Sequence, residues 1–432
     1  MLPLHLADQT PIAVVGGGPA GLAVAIALGL AGQRVVVIER GSWPRDKICG
    51  EGVMPSGVAV LDRLGISAHI APDQSLPFRG IGWIDAQGVR LEADFASGAG
   101  LGIRRTGLSE ALVCRATEID GIDLWERSCV QEMTLQSDGV LLSVMQGGEL
   151  RQLMAQVVIG ADGRNSRVRK QSGLQGPPPV QVRRWGARQH FAMAPWSDRV
   201  EVWWSDGVEA YITPSSASRV EVAFLWDEAV MEPSVKGAGL VSGMLQMFPE
   251  LAARFEGVLD APLSTAAAMG PLAVAARTCS TDRILLVGDA VGYVDGITGE
   301  GISAGLLQAE AIAKQLPVLL QARQVDSDAL KGLGNHVQRI FHETVPLAKA
   351  ALLLSRYPLF RRLVFRGLSR AGGLFTHLLE LNMGRTRWYR VRPVSLLRFI
   401  VGLAFPGRGC APCWAEADPS SVLSSRLHMD AQ

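Results

Sequence analysis

A chain of 432 residues with 48% hydrophobic content is long enough to bury a large core, and it reads as one large or two interleaved domains rather than a string of modules. Its 42 Lys and Arg against 41 Asp and Glu leave a net charge of +1, so no global field recruits nucleic acid or another polyanion. The first nine residues lack the pattern of a secretion leader, and the apolar stretch Leu396 to Phe405 contains Arg398 and falls short of the ~20 residues a membrane span needs. Six cysteines without repeated metal-type pairing fit a reducing compartment, so a cytoplasmic protein with no metal site is expected.

In chain order, the β-branched run Pro11 to Val15 leads into Gly16-Gly17-Gly18-Pro19-Ala20-Gly21 and an Ala- and Leu-rich helical stretch ending near Gly32. A second apolar run, Val35 to Ile38, ends in Glu39-Arg40, which completes a βαβ unit. Two later apolar strands end in glycine-flanked aspartates: Gln156 to Ile159 before Gly160-Ala161-Asp162-Gly163, and Ile284 to Val287 before Gly288-Asp289-Ala290. Between them, Val200 to Trp204 and Arg219 to Trp226 read as strands of a sheet placed between returns to the first fold. Their aromatics, Trp203, Trp204, Tyr211, Phe224 and Trp226, suit either a hydrophobic pocket or plain core. From His336 the chain turns helical and strongly basic, with Arg361, Arg362, Arg366 and Arg370 among Leu359, Phe360, Leu363, Val364, Phe365 and Leu368 at amphipathic spacing.

In Gly16-x-Gly18-x-x-Gly21 the first glycine allows the tight turn, the second lets a pyrophosphate approach the backbone, and the third lets helix pack on strand. The helix N-terminus adds amide donors and partial positive charge. Glu39 stands where the adenosine ribose hydroxyls are expected, with Arg40 beside it as a further cofactor contact. Strand, glycine turn, helix, strand and acidic residue in this order indicate a bound dinucleotide, NAD or FAD on these residues alone.

The chain to about residue 330 resembles the FAD-dependent oxidoreductase superfamily of para-hydroxybenzoate-hydroxylase type, which includes geranylgeranyl reductases and flavin-dependent halogenases. Asp162-Gly163-Arg164-Asn165-Ser166-Arg167-Val168-Arg169 is similar to that family's segment lying along the FAD, and Gly288-Asp289-Ala290 to the motif whose aspartate bonds the ribityl chain. The resemblance implies non-covalent FAD, with Asp162 and Asp289 as contacts, Arg105 reaching the phosphate and ribityl region, and Val130 pairing with the adenine. It also places Gly299, Gly301 and Ile302 at the flavin N1 and C2 carbonyl. The implied fold is α/β: a Rossmann-like FAD domain of glutathione-reductase type, an inserted, mostly antiparallel β substrate domain and a C-terminal helical extension. Its expected segments are a FAD-binding βαβ unit at 10–75, substrate-domain strands at 76–100, the FAD domain continued at 101–174, the substrate sheet at 175–275, the third fingerprint and its helix at 276–330, and the basic helical extension at 331–432.

No second glycine fingerprint follows a strand, so NAD(P)H is expected as a transient reductant, or an external electron donor serves instead. Halogenation is disfavoured, because no lysine lies between Lys47 and Lys170 and Trp203-Trp204 does not restore the halogenase W-x-W-x-I-P signature. The first expectation is a monooxygenase hydroxylating a hydrophobic or aromatic substrate, small or presented by a carrier or peptide. Where such hydroxylases carry a histidine after the third motif, this chain has Gly292, and Thr298-Gly299-Glu300-Gly301 and Lys47-Ile48-Cys49-Gly50-Glu51-Gly52 resemble geranylgeranyl reductases. Double-bond reduction is therefore the alternative, and a flavin electron-transfer partner the second alternative. Cys49, Glu51, Gly299 and Gly301 are the pocket candidates, and no residue is assigned as the catalytic acid or base. The basic C-terminal region is expected either to dock on an anionic membrane or a large partner that presents the substrate, or to cover the FAD domain with its arginines in solvent, and Cys410-x-x-Cys413 reads as an incidental pair.

Overall fold

The computed structural model describes residues 8–86, 88–96, 98–177, 183–231 and 239–404. Cys410 and Cys413 lie outside the described residues.

Strand Asp8–Val15 occupies the middle of an eight-stranded sheet, flanked by the parallel strands Val35–Ile38 and Glu149–Gly160. Ile122–Trp125 and Ile284–Leu286 extend the parallel core outward, and the hairpin strands Ser128–Leu135 and Val140–Gln146 pair off Glu149–Gly160. Helices cover these strands, so they carry near-continuous Val, Ile and Leu, as parallel strands buried on both faces must. Helix Pro19–Leu30 packs against Gly301–Gln321, and the small residues Gly305 and Ala20 allow the approach. All three apolar-strand-plus-glycine motifs end at the same edge of this sheet, the C-terminal edge where open α/β sheets bind ligands.

A second, seven-stranded sheet runs in the order Ala267–Met269, Arg184–Ala192, Arg219–Asp227, Val208–Ser216, Arg199–Ser205, Gly80–Asp85, Arg90–Asp94. Only the Arg199–Ser205 and Gly80–Asp85 pair is parallel. Both faces of this sheet are covered. Trp203, Trp226 and Ala210 pack toward the helices Gly239–Leu245 and Pro249–Ala253, whereas Trp83, Val202 and Trp204 face the C-terminal helices Ser327–Arg356, Pro358–Arg370 and Leu374–Asn382. Most of the strand aromatics are thus core, and of the five Tyr211 and Phe224 also line the cavity described below.

Two buried arginines join the sheet to the helices. Arg184 donates to Asp295 at 2.9 Å, Asp227 at 2.8 Å and Glu209 at 2.5 Å, and reaches Ser355 of the 327–356 helix at 3.3 Å. Arg361, read from sequence as part of an amphipathic basic stripe, is buried instead, held by Asp85 and Asp206 at 2.9 Å each. A guanidinium buried this far needs paired carboxylates, and the sheet supplies them. No helix among the described residues is long and apolar enough to cross a membrane.

Candidate flavin site

A cavity of about 470 Å³ runs from the first glycine turn to the inner face of the seven-stranded sheet. Gly16, Gly18, Glu39, Arg40, Arg105, Val130 and Asp162 line one limb; Cys49, Asp289, Gly299, Gly301 and Ile302 line the other. The glycines of the turn have separate reasons to be glycine. Gly16 has φ +110°, and a Cβ there would lie 2.4 Å from the Ala161 carbonyl oxygen. A Cβ on Gly21 would lie 1.9 Å from the Gly16 carbonyl oxygen, so its part is packing of helix on strand; it does not line the cavity. A Cβ on Gly18 would meet only Arg105 Nη2, at 3.7 Å. The open space over Gly18 is where a pyrophosphate would approach the N-terminus of the 19–30 helix.

Arg105 points its guanidinium into that space. It is 6% exposed, its Nε has no hydrogen-bond partner, and it makes no ion pair among the described residues. Burial lowers its pKa, offset in part by Cys49, Asp289 and Glu51. A buried guanidinium without an anion is costly, and a phosphate over Gly18 would satisfy it. Across the turn, Glu39 accepts from the Gly17 amide at 2.9 Å and the Gly41 amide at 2.8 Å, which fixes the carboxylate at the end of its strand. Trp43 closes the floor: its indole donates to the Gly17 carbonyl at 2.8 Å, and a Cβ on Gly17 would strike its ring. An open turn, an orphaned arginine and a fixed ribose-side carboxylate fit the dinucleotide half of FAD.

The second motif is largely architectural. Ser166 caps the helix Arg167–Gln171, accepting from the Arg169 amide at 2.9 Å, while Asp162 accepts from the Arg167 amide at 2.6 Å and from the Ser166 hydroxyl at 2.5 Å. Buried Arg169 donates to the carbonyls of Arg164 at 2.7 Å and Ala290 at 2.9 Å, tying the second motif to the third. Asp162 lines the cavity, but its carboxylate is already engaged by the cap. At the third motif, Lys47 pairs with Asp289 at 3.1 Å, a contact that no motif announced.

Beyond Asp289, Gly299 has φ +68° and Gly301 opens the 301–321 helix, whose amides face the same limb. Glu300 caps this helix by position and is 6% exposed; burial pushes its carboxyl up to about 8, against the Asn382 amide, which donates to it at 3.0 Å. Gly292 packs against the Phe341 ring of the 327–356 helix, 2.9 Å from a notional Cβ, so a histidine there would require that ring to shift. Cys49 lines the chamber, and burial raises its thiol despite Arg105.

Glu51 is the pocket candidate that the structure moves. It is 1% exposed and turned behind the wall, away from the cavity, with φ 49°: one carboxylate oxygen accepts from the Arg105 amide at 2.8 Å, and the other lies 2.9 Å from His190 Nε2. Arg188 donates to His190 Nδ1 at 3.1 Å, which puts a proton on Nε2 toward Glu51. Beside them Glu221 is fully buried with both oxygens unpartnered, 3.9 Å from Arg188 Nε. Burial, with Glu51 and Cys49 adding, pushes its carboxyl well above the ordinary range. Ligand atoms of Glu51, His190 and Glu221 lie within 4.8 Å of one another, but an Nε2 that carries a proton offers no lone pair to a cation. His190 and Glu221 are cross-strand partners from strands distant in sequence, so no motif joins them; the available signal was charge placed inside apolar strands.

A glycine turn, helix N-terminus and buried arginine at the C-terminal edge of a parallel sheet, facing an apolar chamber on a second sheet, define a flavin-dependent oxidoreductase of para-hydroxybenzoate-hydroxylase type. Residues 9–329 match the model described as FAD binding domain, and the chain belongs to that family. It is 26% identical over 350 residues to menaquinone reductase of Mycobacterium tuberculosis, spanning 73% of this chain and 81% of that protein. It is 26% identical over 416 residues to 6-methylpretetramide 4-monooxygenase of Streptomyces rimosus, spanning 83% and 92%. Among solved structures, a flavoprotein/dehydrogenase from Cytophaga hutchinsonii superposes with a TM-score of 0.78 at 16% identity, covering 92% of this chain and all of that one, a likeness of fold.

Proposed function

We propose that the protein is a NAD(P)H- and O2-dependent FAD monooxygenase that hydroxylates an apolar substrate. The observation that carries this reading is the chamber wall: Ile81, Trp83, Val200, Val202, Leu225 and Leu379 make it apolar beside the glycine-lined limb at Gly299 and Gly301. Oxygen transfer needs a substrate held close and bulk water kept out, and such a wall does both. Bound FAD would supply the two-electron chemistry with O2. The chain's own residues would do the rest: Gly18 and Arg105 seat the pyrophosphate, Glu39 the ribose, Asp289 with Lys47 the linking chain, and the 301–321 helix N-terminus favours negative charge on the ring edge it faces. Without a second glycine fingerprint, NAD(P)H would reduce the flavin and leave. The likeness to a monooxygenase over most of both chains supports the reading.

Reduction of a double bond or quinone is the second reading. It is favoured by Gly292, packed on Phe341 where the hydroxylases carry a histidine in sequence, by the Cys49 thiol in the wall, and by the likeness to menaquinone reductase. One experiment separates the two: FAD-loaded protein, NADH or NADPH, and a panel of alkyl-substituted phenols and quinones under 18O2. Hydroxylation predicts products carrying one 18O atom, with reductant and O2 consumed in equal amounts. Turnover that persists without O2 and yields reduced, unlabelled products would replace the first reading by the second.

A further inference from the structure

The helices after residue 357 present a surface that the flavin chemistry does not explain. Among the described residues, helix Pro393–Ala404 rests on Pro358–Arg370 along one side, where Gly402 meets the Gly367 backbone and Phe399 covers Gly367. Its other side carries Val394, Leu397, Ile400 and Val401 at helical spacing, all solvent-exposed, Leu397 by 61%. Trp388 and Tyr389 stand out beside it, 74% and 66% exposed. Contiguous apolar exposure of this kind marks an interaction site rather than ordinary surface.

Charge identifies the partner. Residues 357–404 hold nine arginines and a single acidic residue, Glu380, which is buried and accepts from the Ala96 amide at 2.9 Å. The whole chain is nearly neutral, so this concentration is local. Arg361 is committed to Asp85 and Asp206, but Arg387, Arg390, Arg392 and Arg398 are exposed around the apolar residues. A second copy of the chain would bring arginine against arginine, which is repulsive. Apolar side chains ringed by arginines, with Trp and Tyr at the boundary, match the interface of an anionic bilayer. The same helical layer closes the chamber through Leu379, Asn382 and Met383.

We propose that this surface docks the enzyme on an anionic membrane, from which a lipid-soluble substrate enters the chamber. The substrate class rests on the apolar-substrate reading above; the docking itself does not. The test is co-sedimentation of the FAD-loaded full-length protein with phosphatidylcholine vesicles, with and without phosphatidylglycerol. Binding is expected to the anionic vesicles and to fall at high salt. It should weaken about tenfold or more in R390E/R392E and in L397E/I400E, while bound FAD and turnover of a detergent-dispersed substrate stay as in the parent. Removal of residues 405–432 should leave binding intact. No binding to phosphatidylglycerol vesicles at low salt, undiminished binding in L397E/I400E, or loss on removal of 405–432 would each overturn the proposal. Vesicle binding without turnover of any lipid-soluble substrate would instead count against the functional reading and leave the docking surface standing.

Discussion

At the residue scale, the site is made of groups placed against their own preference. Arg105 is buried without an anion, so replacing it should separate two quantities. R105M is expected to leave the FAD-free protein as stable as the parent or more so, because an unpaired buried charge is removed, yet to weaken FAD binding by about 2–3 kcal/mol, the worth of a charge-assisted bond to phosphate. Thermal unfolding of the FAD-free protein and a flavin fluorescence titration check the two halves. Glu300 gives a pH signature. Its carboxyl is pushed up to about 8 in the folded chain, against an ordinary 4.5, so the folded state holds a proton that the unfolded state has lost between those values. Stability therefore falls as pH rises from about 4.5 to about 8, with a slope of up to about 1.4 kcal/mol per pH unit from this group. E300Q should flatten the decline by that amount, as read from urea unfolding of the FAD-free protein at pH 5 and pH 8; an unchanged slope would remove Glu300 as its cause.

At the element scale, two arginines decide how the C-terminal helices sit. Although burial works to lower it, the Glu209 and Asp295 carboxylates hold the Arg184 guanidinium well above its ordinary pKa, and burial in turn raises Glu209 and Asp295. Three buried carboxylates lose their common cation in R184M, so that variant should be destabilised by about 3–5 kcal/mol in chemical denaturation; a loss below about 1 kcal/mol would mean that water reaches the group. The elements differ in how far sequence shows them. Pro11 to Leu30 was legible because strand, glycine turn and helix are local signals: Gly16 takes the turn at φ +110°, and a Cβ on Gly21 would strike the Gly16 carbonyl where helix and strand pack. The inserted sheet was legible as strands, but which way Trp203 or Tyr211 points depends on register, which is set by partners far along the chain. Glu51 looked like a pocket residue because Lys47 to Gly52 resembles a geranylgeranyl reductase segment, yet its carboxylate turns inward to His190. Arg361 sat in an amphipathic pattern whose inward side only the sheet carboxylate Asp85 could reveal.

At the scale of the whole molecule, one cavity joins two sheets and a helical cap. Its first limb has the Gly18 turn, Arg105, Glu39 and Val130 in line, and its second opens on Gly299, Gly301 and the apolar wall. An adenosine half, a pyrophosphate and a flavin would each find a place along it under the proposed reading, and a mononucleotide would then leave Glu39 and the Val130 strand without a partner. Titration of the flavin-free protein with FAD and with FMN tests this arrangement most directly. One FAD per chain is expected, with FMN bound more weakly by roughly 100-fold or more, a loss of at least about 2.7 kcal/mol for the adenosine contacts and the second phosphate together. Equal affinity for FMN and FAD, or binding of neither, would contradict it.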